Sequence, residues 1–223
     1  MTAAPDVIAI TEVNPKNSRF GLHPAEYQID GYEAFSSLGG RGIIIWIRNG
    51  IEASPYRIQP TYEDSLWLKI KISKTDSLLL GCVYRSPNSS DENNESLNNL
   101  FRSLPMQLYS HLLVCGDFNY PSINWETNST NEPNAQKFLE SCDDAYVHQH
   151  IEKPTRARLG QCHNVLDLVF SNEENMVGEI AYESPLGKSD HSCLVFEFRC
   201  YLIKGLAVQI EQSKYFIELI FRP

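Results

Sequence analysis

Leu112-Leu-Val-Cys-Gly-Asp-Phe-Asn119 joins a short apolar run to two polar side chains. Four apolar residues stopped by a Gly-Asp turn signal predict a strand buried on both faces. Asp117 and Asn119 lie two residues apart at its exit and therefore point to the same side. Sites in open α/β sheets gather at such strand ends. An Asp there can orient and deprotonate water, and an Asn can hold that water or a phosphate oxygen. Gly, Asp and Asn are also common turn formers, so the stretch alone fits a plain turn equally well.

The neighbouring sequence supplies a sheet for that strand. Upstream, Leu97, Leu100, Phe101, Leu104 and Leu108 recur at helical spacing, with Pro105 expected to break or kink the helix. Leu78–Tyr84 is a continuous apolar run and predicts a central strand. Ser65–Ile72 alternates, with Leu66, Leu68, Ile70 and Ile72 on one face and Trp67, Lys69 and Lys71 on a wet one. Gly42-Ile-Ile-Ile-Trp-Ile47 lies between Gly39-Gly40 and Asn49-Gly50, and Asp6-Val-Ile-Ala-Ile-Thr11 reads as the first strand. Residues 14–31 read as loop. Downstream come a loop over 122–132, a helix over 134–145, and strands over 165–170 and 193–198. The order β, β, β, β, α, β, α, β, β, with no repeat and no long hydrophilic linker, predicts one α/β domain with helices covering its sheets. Tyr201–Pro223 is apolar but unpatterned: a partner-binding helix, a strand, or sequence foreign to the domain.

The chain has 223 residues, room for a sizeable core without disulfides. With 42% hydrophobic and 21% charged residues it is neither disordered nor a coiled coil. Nineteen basic against 28 acidic residues gives a net charge of −9, which excludes a polybasic DNA binder. It does not exclude an enzyme that meets phosphate through divalent cations held by acidic side chains. No secretory leader and no membrane span are read from the sequence. The six cysteines form no Cys-x-x-Cys pair, and Cys82, Cys115 and Cys193 sit in strand-like runs, as reduced thiols do. An intracellular location, nuclear or cytoplasmic, is expected, and the Asn-x-Ser/Thr sites at Asn88, Asn94 and Asn128 are then incidental.

Four further signals fall at or in predicted strands. Ser189-Asp190-His191 precedes the strand at Cys193 and offers an acid/base or phosphate-polarising His beside an Asp that could fix its tautomer or bind metal. Glu12 ends the first strand, where a carboxylate suits Mg²⁺. Tyr84-Arg85-Ser86-Pro87 closes a strand with a phenol and a guanidinium, both able to meet phosphate. Asp167, inside Asn164-Val-Leu-Asp-Leu-Val-Phe170, is an acid in an apolar strand and needs a partner such as His191. Each has a bland alternative as a solvated loop or strand-end residue. Together they supply a metal ligand, a water activator, a phosphate clamp and a His–Asp pair, the kit for metal-assisted phosphoester hydrolysis. A serine-hydrolase reading fails for want of a Gly-x-Ser-x-Gly elbow. Arg41, Arg48, Lys69, Lys71, Arg156 and Arg158 are scattered candidates for DNA contacts. Thr155 and Asn164 lie near the same segments without a spacing that assigns them a role.

The set resembles the endonuclease/exonuclease/phosphatase superfamily, and within it the apurinic-type endonuclease domain of non-LTR (LINE-type) retrotransposons. The matching stretches are Asp6–Glu12, Gly39–Ile45, Gly81–Pro87, Leu113–Asn119, Asn164–Phe170 and Ser189–His191, in the family's order over residues 5–199. The resemblance implies a four-layer α/β sandwich of two facing mixed sheets flanked by helices. It implies that Glu12 binds Mg²⁺ (or Mn²⁺) with Asp190 supporting the metal side, and that Tyr84 positions the scissile phosphate; Arg85 beside it stays a substrate-phosphate candidate on its own chemistry. It also implies that Asp117 activates water beside Asn119, that Asp167 sets the tautomer of His191, and that His191 polarises the phosphate. The implied reaction is nicking of DNA to leave a 3′-hydroxyl that primes a reverse transcriptase module in the full-length element. A small-molecule phosphoesterase and a catalytically impaired remnant are the alternatives. The family's first strand, which carries an Asn of the site, and its first helix have no counterpart here. A domain over 1–199 with an open sheet edge and a divergent tail over 200–223 is therefore expected.

Overall fold

The computed structural model describes residues 4–14, 21–74, 76–105, 108–156, 164–204 and 209–221. Its strands are β1 (Val7–Thr11), β2 (Tyr32–Ser37), β3 (Ile43–Arg48), β4 (Ala53–Tyr56), β5 (Ser65–Lys71), β6 (Ser77–Tyr84), β7 (His111–Asp117), β8 (His148–Gln149), β9 (Asp167–Ser171), β10 (Ala181–Glu183), β11 (Cys193–Lys204) and β12 (Gln209–Phe221). The helices are α1 (Asp91–Arg102) and α2 (Pro133–Asp144).

Two six-stranded mixed sheets face each other, ordered β10-β11-β12-β1-β3-β2 and β4-β5-β6-β7-β9-β8. Each has one parallel pair at its centre. In the second sheet β6 and β7 run parallel because α1 carries the chain back between them. In the first sheet the parallel pair is β1 and β12, from opposite ends of the described chain. The two facing mixed sheets of the expected α/β sandwich are observed.

Three apolar layers hold it together. Val7, Ala9, Ile43, Ile45, Leu68, Ile70, Leu80, Leu113, Phe196 and Ile217 are among those filling the space between the sheets. Leu97, Leu100 and Phe101 of α1 and Phe138 and Leu139 of α2 pack with Phe118 and Phe170 on the outer face of the second sheet. Trp67, expected on a wet face, is buried in that layer because Gly81 opposite it has no side chain and the indole lies over its backbone. Among the described residues no α-helix covers the first sheet. Its outer face is closed by Ile10, Val13, Ile44 and Trp46 under Leu22, Tyr27 and Leu38.

Local chemistry fixes the helix ends. Ser90 caps α1 by accepting from the Asn93 N–H (3.2 Å), and α1 stops at Arg102, three residues before Pro105. Pro133 opens α2, and the Glu132 carboxylate takes the N–H groups of Asn134 and Ala135.

The described residues of the tail are strand. β11 runs unbroken past the boundary expected at residue 199, and β12 pairs antiparallel with β11 and parallel with β1. β1 is therefore paired on both sides. The five cysteines among the described residues are free and buried; Cys162 and Arg158 lie outside those residues. No helix of the described residues is long and apolar enough to cross a membrane.

His150 gives the fold an acid sensitivity. Its Nε2 lies 2.7 Å from Ser171 Oγ, and burial, reinforced by the neighbouring His148, pushes its pKa down to about 4. An unfolded His titrates near 6.5, so the unfolded chain binds the proton first. Stability from this site is complete above about pH 6.5 and is lost as the pH falls toward 4. His150→Gln, which can keep a hydrogen bond to Ser171, is expected to lessen the fall in urea midpoint between pH 7 and pH 4.5. An unchanged fall would assign the acid sensitivity elsewhere.

Candidate active site

Three adjacent strands of the second sheet end their runs at one edge. Tyr84 at the end of β6 is the register partner of Asp117 at the end of β7, and Asp117 is the register partner of Asp167 at the start of β9. A phenol and two carboxylates thus stand in a row. Gly116 sets the position of Asp117. Its φ is +148°, and a Cβ there would collide with the Val83 carbonyl on β6, so no side-chain-bearing residue fits.

The first sheet supplies the opposite wall. Glu12 follows β1 with φ +57°, and Asn119 follows β7 with φ +49°, left-handed conformations uncommon outside glycine and concentrated at functional sites. His191 precedes β11. These residues, with Arg41, Ser86, Asn88, Arg156 and Asp190, line a polar depression of about 270 Å³.

Its hydrogen bonds define two clusters. Glu12 Oε1 accepts from the Tyr84 hydroxyl (2.6 Å) and from Arg41 Nε (3.0 Å). Burial, then the bond to Glu12, raises the Tyr84 pKa, so its phenol stays a neutral donor. On the other side His191 Nδ1 faces both oxygens of Asp167, at 2.8 and 3.0 Å. That contact directs His191 Nε2 away from Asp167, toward Asp190 Oδ1 at 3.9 Å. Burial opposes charge on His191, but Asp167, Asp117 and Asp190 outweigh it and lift its pKa to about 9. The imidazole is therefore cationic at neutral pH. Thr155, fully buried, accepts from the N–H groups of Leu166 and Asp167 (3.2 and 3.1 Å) and fixes the start of β9. Asn164 bonds through its backbone to Thr155 and Arg156.

Asp117 is 3% exposed. Burial first, then Asp167 and Glu12, raise its carboxyl pKa well above the usual range, against the opposing pull of His191 and its bond from the Asn119 N–H. Asp117, Asp167 and His191 bring one ligand atom each to within 4.8 Å of one another. Asp167 spends both oxygens on His191, which makes this a proton-handling group more than a cage. Glu12 and Asp190 offer oxygen donors at the rim with space for waters, the coordination Mg²⁺ prefers, and each already holds a cationic side chain. The donor set fits a divalent metal.

The depression brings together Glu12, Tyr84, Asp117, Asn119, Asp190 and His191, with Asp167 directly behind His191. Arg85 is the exception. It is 6% exposed and turned inward: Nε donates to Asn94 Oδ1 (2.8 Å), Nη1 to the Asn119 carbonyl (2.7 Å), and its guanidinium stacks 3.9 Å from the Tyr120 ring centroid. Asn119 Nδ2 returns a bond to the Arg85 carbonyl (2.9 Å). Arg85 therefore braces the loop after β7 and is not among the residues that line the depression. Asn94, its acceptor, is itself buried and is no glycan acceptor. Among the described residues, the arginines that line the depression are Arg41 and Arg156, which the sequence placed only in a scattered set of basic residues.

A two-sheet sandwich with carboxylates, a phenol and a buried His–Asp pair at one edge is the architecture of the endonuclease/exonuclease/phosphatase superfamily. A profile of the endonuclease-reverse transcriptase family matches residues 78–195, more than half of the chain, and the chain belongs to that family. The structure is similar to the endonuclease domain of TRAS1, a telomere-specific non-LTR retrotransposon, with TM-score 0.60 and 18% identity over 77% of this chain and 82% of that one. It is similar to an endonuclease/exonuclease/phosphatase from Beutenbergia cavernae, with TM-score 0.57 and 15% identity over 94% and 68%. A family protein from Leptotrichia buccalis gives TM-score 0.52 and 16% identity over 86% of each chain. At these identities the likeness is one of fold. No curated protein sequence matches.

Proposed function

We propose that the chain is a divalent-metal-dependent DNA-nicking endonuclease, the target-site endonuclease of a non-LTR retrotransposon or a fragment of one, working inside the cell beside a reverse transcriptase module. The observation that carries this is one depression lined by Glu12, Tyr84, Asp117 and His191, with Asp167 beside Asp117 in the sheet and bonded to His191 from behind. The family match and the fold likeness to a retrotransposon endonuclease support DNA as the substrate.

Each residue then has a task. Glu12 and Asp190 would hold the metal, which would supply neutralisation of charge on the phosphate oxygens. His191, cationic through Asp167, donates to a non-bridging oxygen and draws electron density from phosphorus. The Tyr84 hydroxyl positions the same phosphate. Asp117 orients the attacking water and takes its proton, with Asn119 holding the water's second side. The water oxygen bonds to phosphorus, the bond to the 3′ oxygen breaks, and that oxygen leaves as the 3′-hydroxyl after protonation from solvent.

Supercoiled plasmid is expected to become open circle with Mg²⁺, to stay supercoiled with a chelator, and to stay supercoiled with His191→Ala. The nick is expected to prime a DNA polymerase without end repair. Nicking no faster than His191→Ala would sink the proposal. Phosphate release from inositol phosphates with intact plasmid would move the function to small phosphoesters.

A further inference from the structure

Arg41 and Arg156 each grip one of the two rim carboxylates. Arg41 Nε sits 3.0 Å from Glu12 Oε1, and Arg156 Nε sits 2.7 Å from Asp190 Oδ2. The carboxylates are about nine-tenths covered, and the arginines are 20% and 32% exposed. Both guanidinium groups belong to the lining of the catalytic depression. A chain of net charge −9 needs local cations to approach a polyanion, and Arg85 is committed to Asn94, Asn119 and Tyr120.

We infer that these arginines are exchange partners, each traded from a rim carboxylate to a substrate phosphate when a divalent cation takes the carboxylate. This rests on the endonuclease reading above. Without metal, Arg41 helps neutralise Glu12 and Arg156 helps neutralise Asp190, two partly covered anions. A divalent ion competes for the same oxygens. Displaced from them, a guanidinium at the rim finds its best remaining partner in a phosphate, which matches its fork of donors. Metal and DNA then favour each other through one side chain, and linkage requires the effect to be reciprocal.

The exchange predicts opposite signs for one substitution. In the full chain without DNA, Arg41→Ala is expected to bind Mg²⁺ about fivefold more tightly by titration calorimetry, the loss of one partly exposed competing ion pair. The second measurement uses a fluorescein-labelled duplex in the His191→Ala background, so that DNA is not consumed. There Mg²⁺ is expected to strengthen DNA binding, and Arg41→Ala to remove much of that gain. It should also lower the slope of log K against log salt by about 1. Arg41→Lys should keep most of the DNA effect, because the charge remains. Arg156→Ala tests the same exchange at Asp190 should Arg41→Ala fail to fold. Mg²⁺ affinity unchanged or weakened by both alanine variants would overturn the exchange and leave the arginines as braces. If plasmid nicking is absent but Mg²⁺ binding still tightens, the endonuclease reading falls and only the competition of arginine and metal for the carboxylate stands; if nicking occurs and neither variant changes Mg²⁺ binding, only the exchange falls.

Discussion

Asp117→Asn is expected to slow plasmid nicking by about a thousandfold or more under single-turnover conditions, with the protein folded and no less stable. The substitution changes almost no volume, and the amide oxygen can still accept from the Asn119 N–H. What it removes is the ability to take a proton from water. The stability argument runs the other way. Asp117 is buried opposite Asp167 and near Glu12, which raises its carboxyl pKa, so the ionised form weakens the fold at neutral pH. A raised carboxyl pKa means that stability falls as the pH rises above the unfolded value of about 4. A neutral amide escapes that cost, and in the presence of a chelator the variant should melt at the same temperature as the parent or higher. Loss of activity with gain of stability separates a catalytic carboxylate from a structural one. Nicking within tenfold of the parent would take Asp117 out of the mechanism, and a large fall in melting temperature would make it a fold residue.

What the sequence made legible follows physical locality. Ile43–Ile47, Leu78–Tyr84 and Leu112–Cys115 were readable because central strands are buried on both faces and their apolar runs are continuous. β2 and β4 were not, because Tyr32–Ser37 and Ala53–Tyr56 are half-exposed, the latter with Pro55 inside it, and resemble loop. Asp117, Asn119, Asp190 and His191 stood out because a strand exit places neighbours in sequence on one rim. Arg85 misled because its direction is decided by Asn94 and Tyr120, 9 and 35 residues away in the chain, and local sequence carries no trace of that choice. Arg41 and Arg156 were lost among basic residues for the converse reason: only the assembled site gives them carboxylates. β12 was opaque on two counts. Ile217 and Leu219 alternate inward, but Phe216 and Ile220 make its other face apolar too and blur the period. Its parallel partner β1 lies some 210 residues earlier, beyond any local pattern.

That pairing makes β12 the other place where one substitution should have a very large effect. Ile217 is fully buried between the sheets, beside Val7 on β1 and Phe196 on β11. Just before it, Asp6 N–H donates to the Phe216 carbonyl (2.7 Å) and Asp6 Oδ2 accepts from the Phe216 N–H (2.8 Å), while Arg48 pairs with the same Asp6. This clasp sets the register that carries β1 to Glu12 at the rim. Ile217→Ala leaves the ladder intact and should cost about 2–5 kcal/mol for the lost burial and the cavity. Ile217→Pro loses that burial, deletes a ladder hydrogen bond in a strand paired on both sides, and should add about 3 kcal/mol or more. The sum approaches the about 5–15 kcal/mol that holds a typical domain. Ile217→Pro is therefore expected to abolish cooperative urea unfolding, and Ile217→Ala to lower the midpoint with the transition still cooperative. Nicking should survive in the Ala variant below its transition, since no site residue is touched. A Pro variant that unfolds cooperatively within about 1 kcal/mol of the parent would show that β12 is not in the sheet, because a strand interior cannot accept proline at so small a cost. β1 would then lack its parallel neighbour, and Glu12 would lose the support that holds it opposite Tyr84.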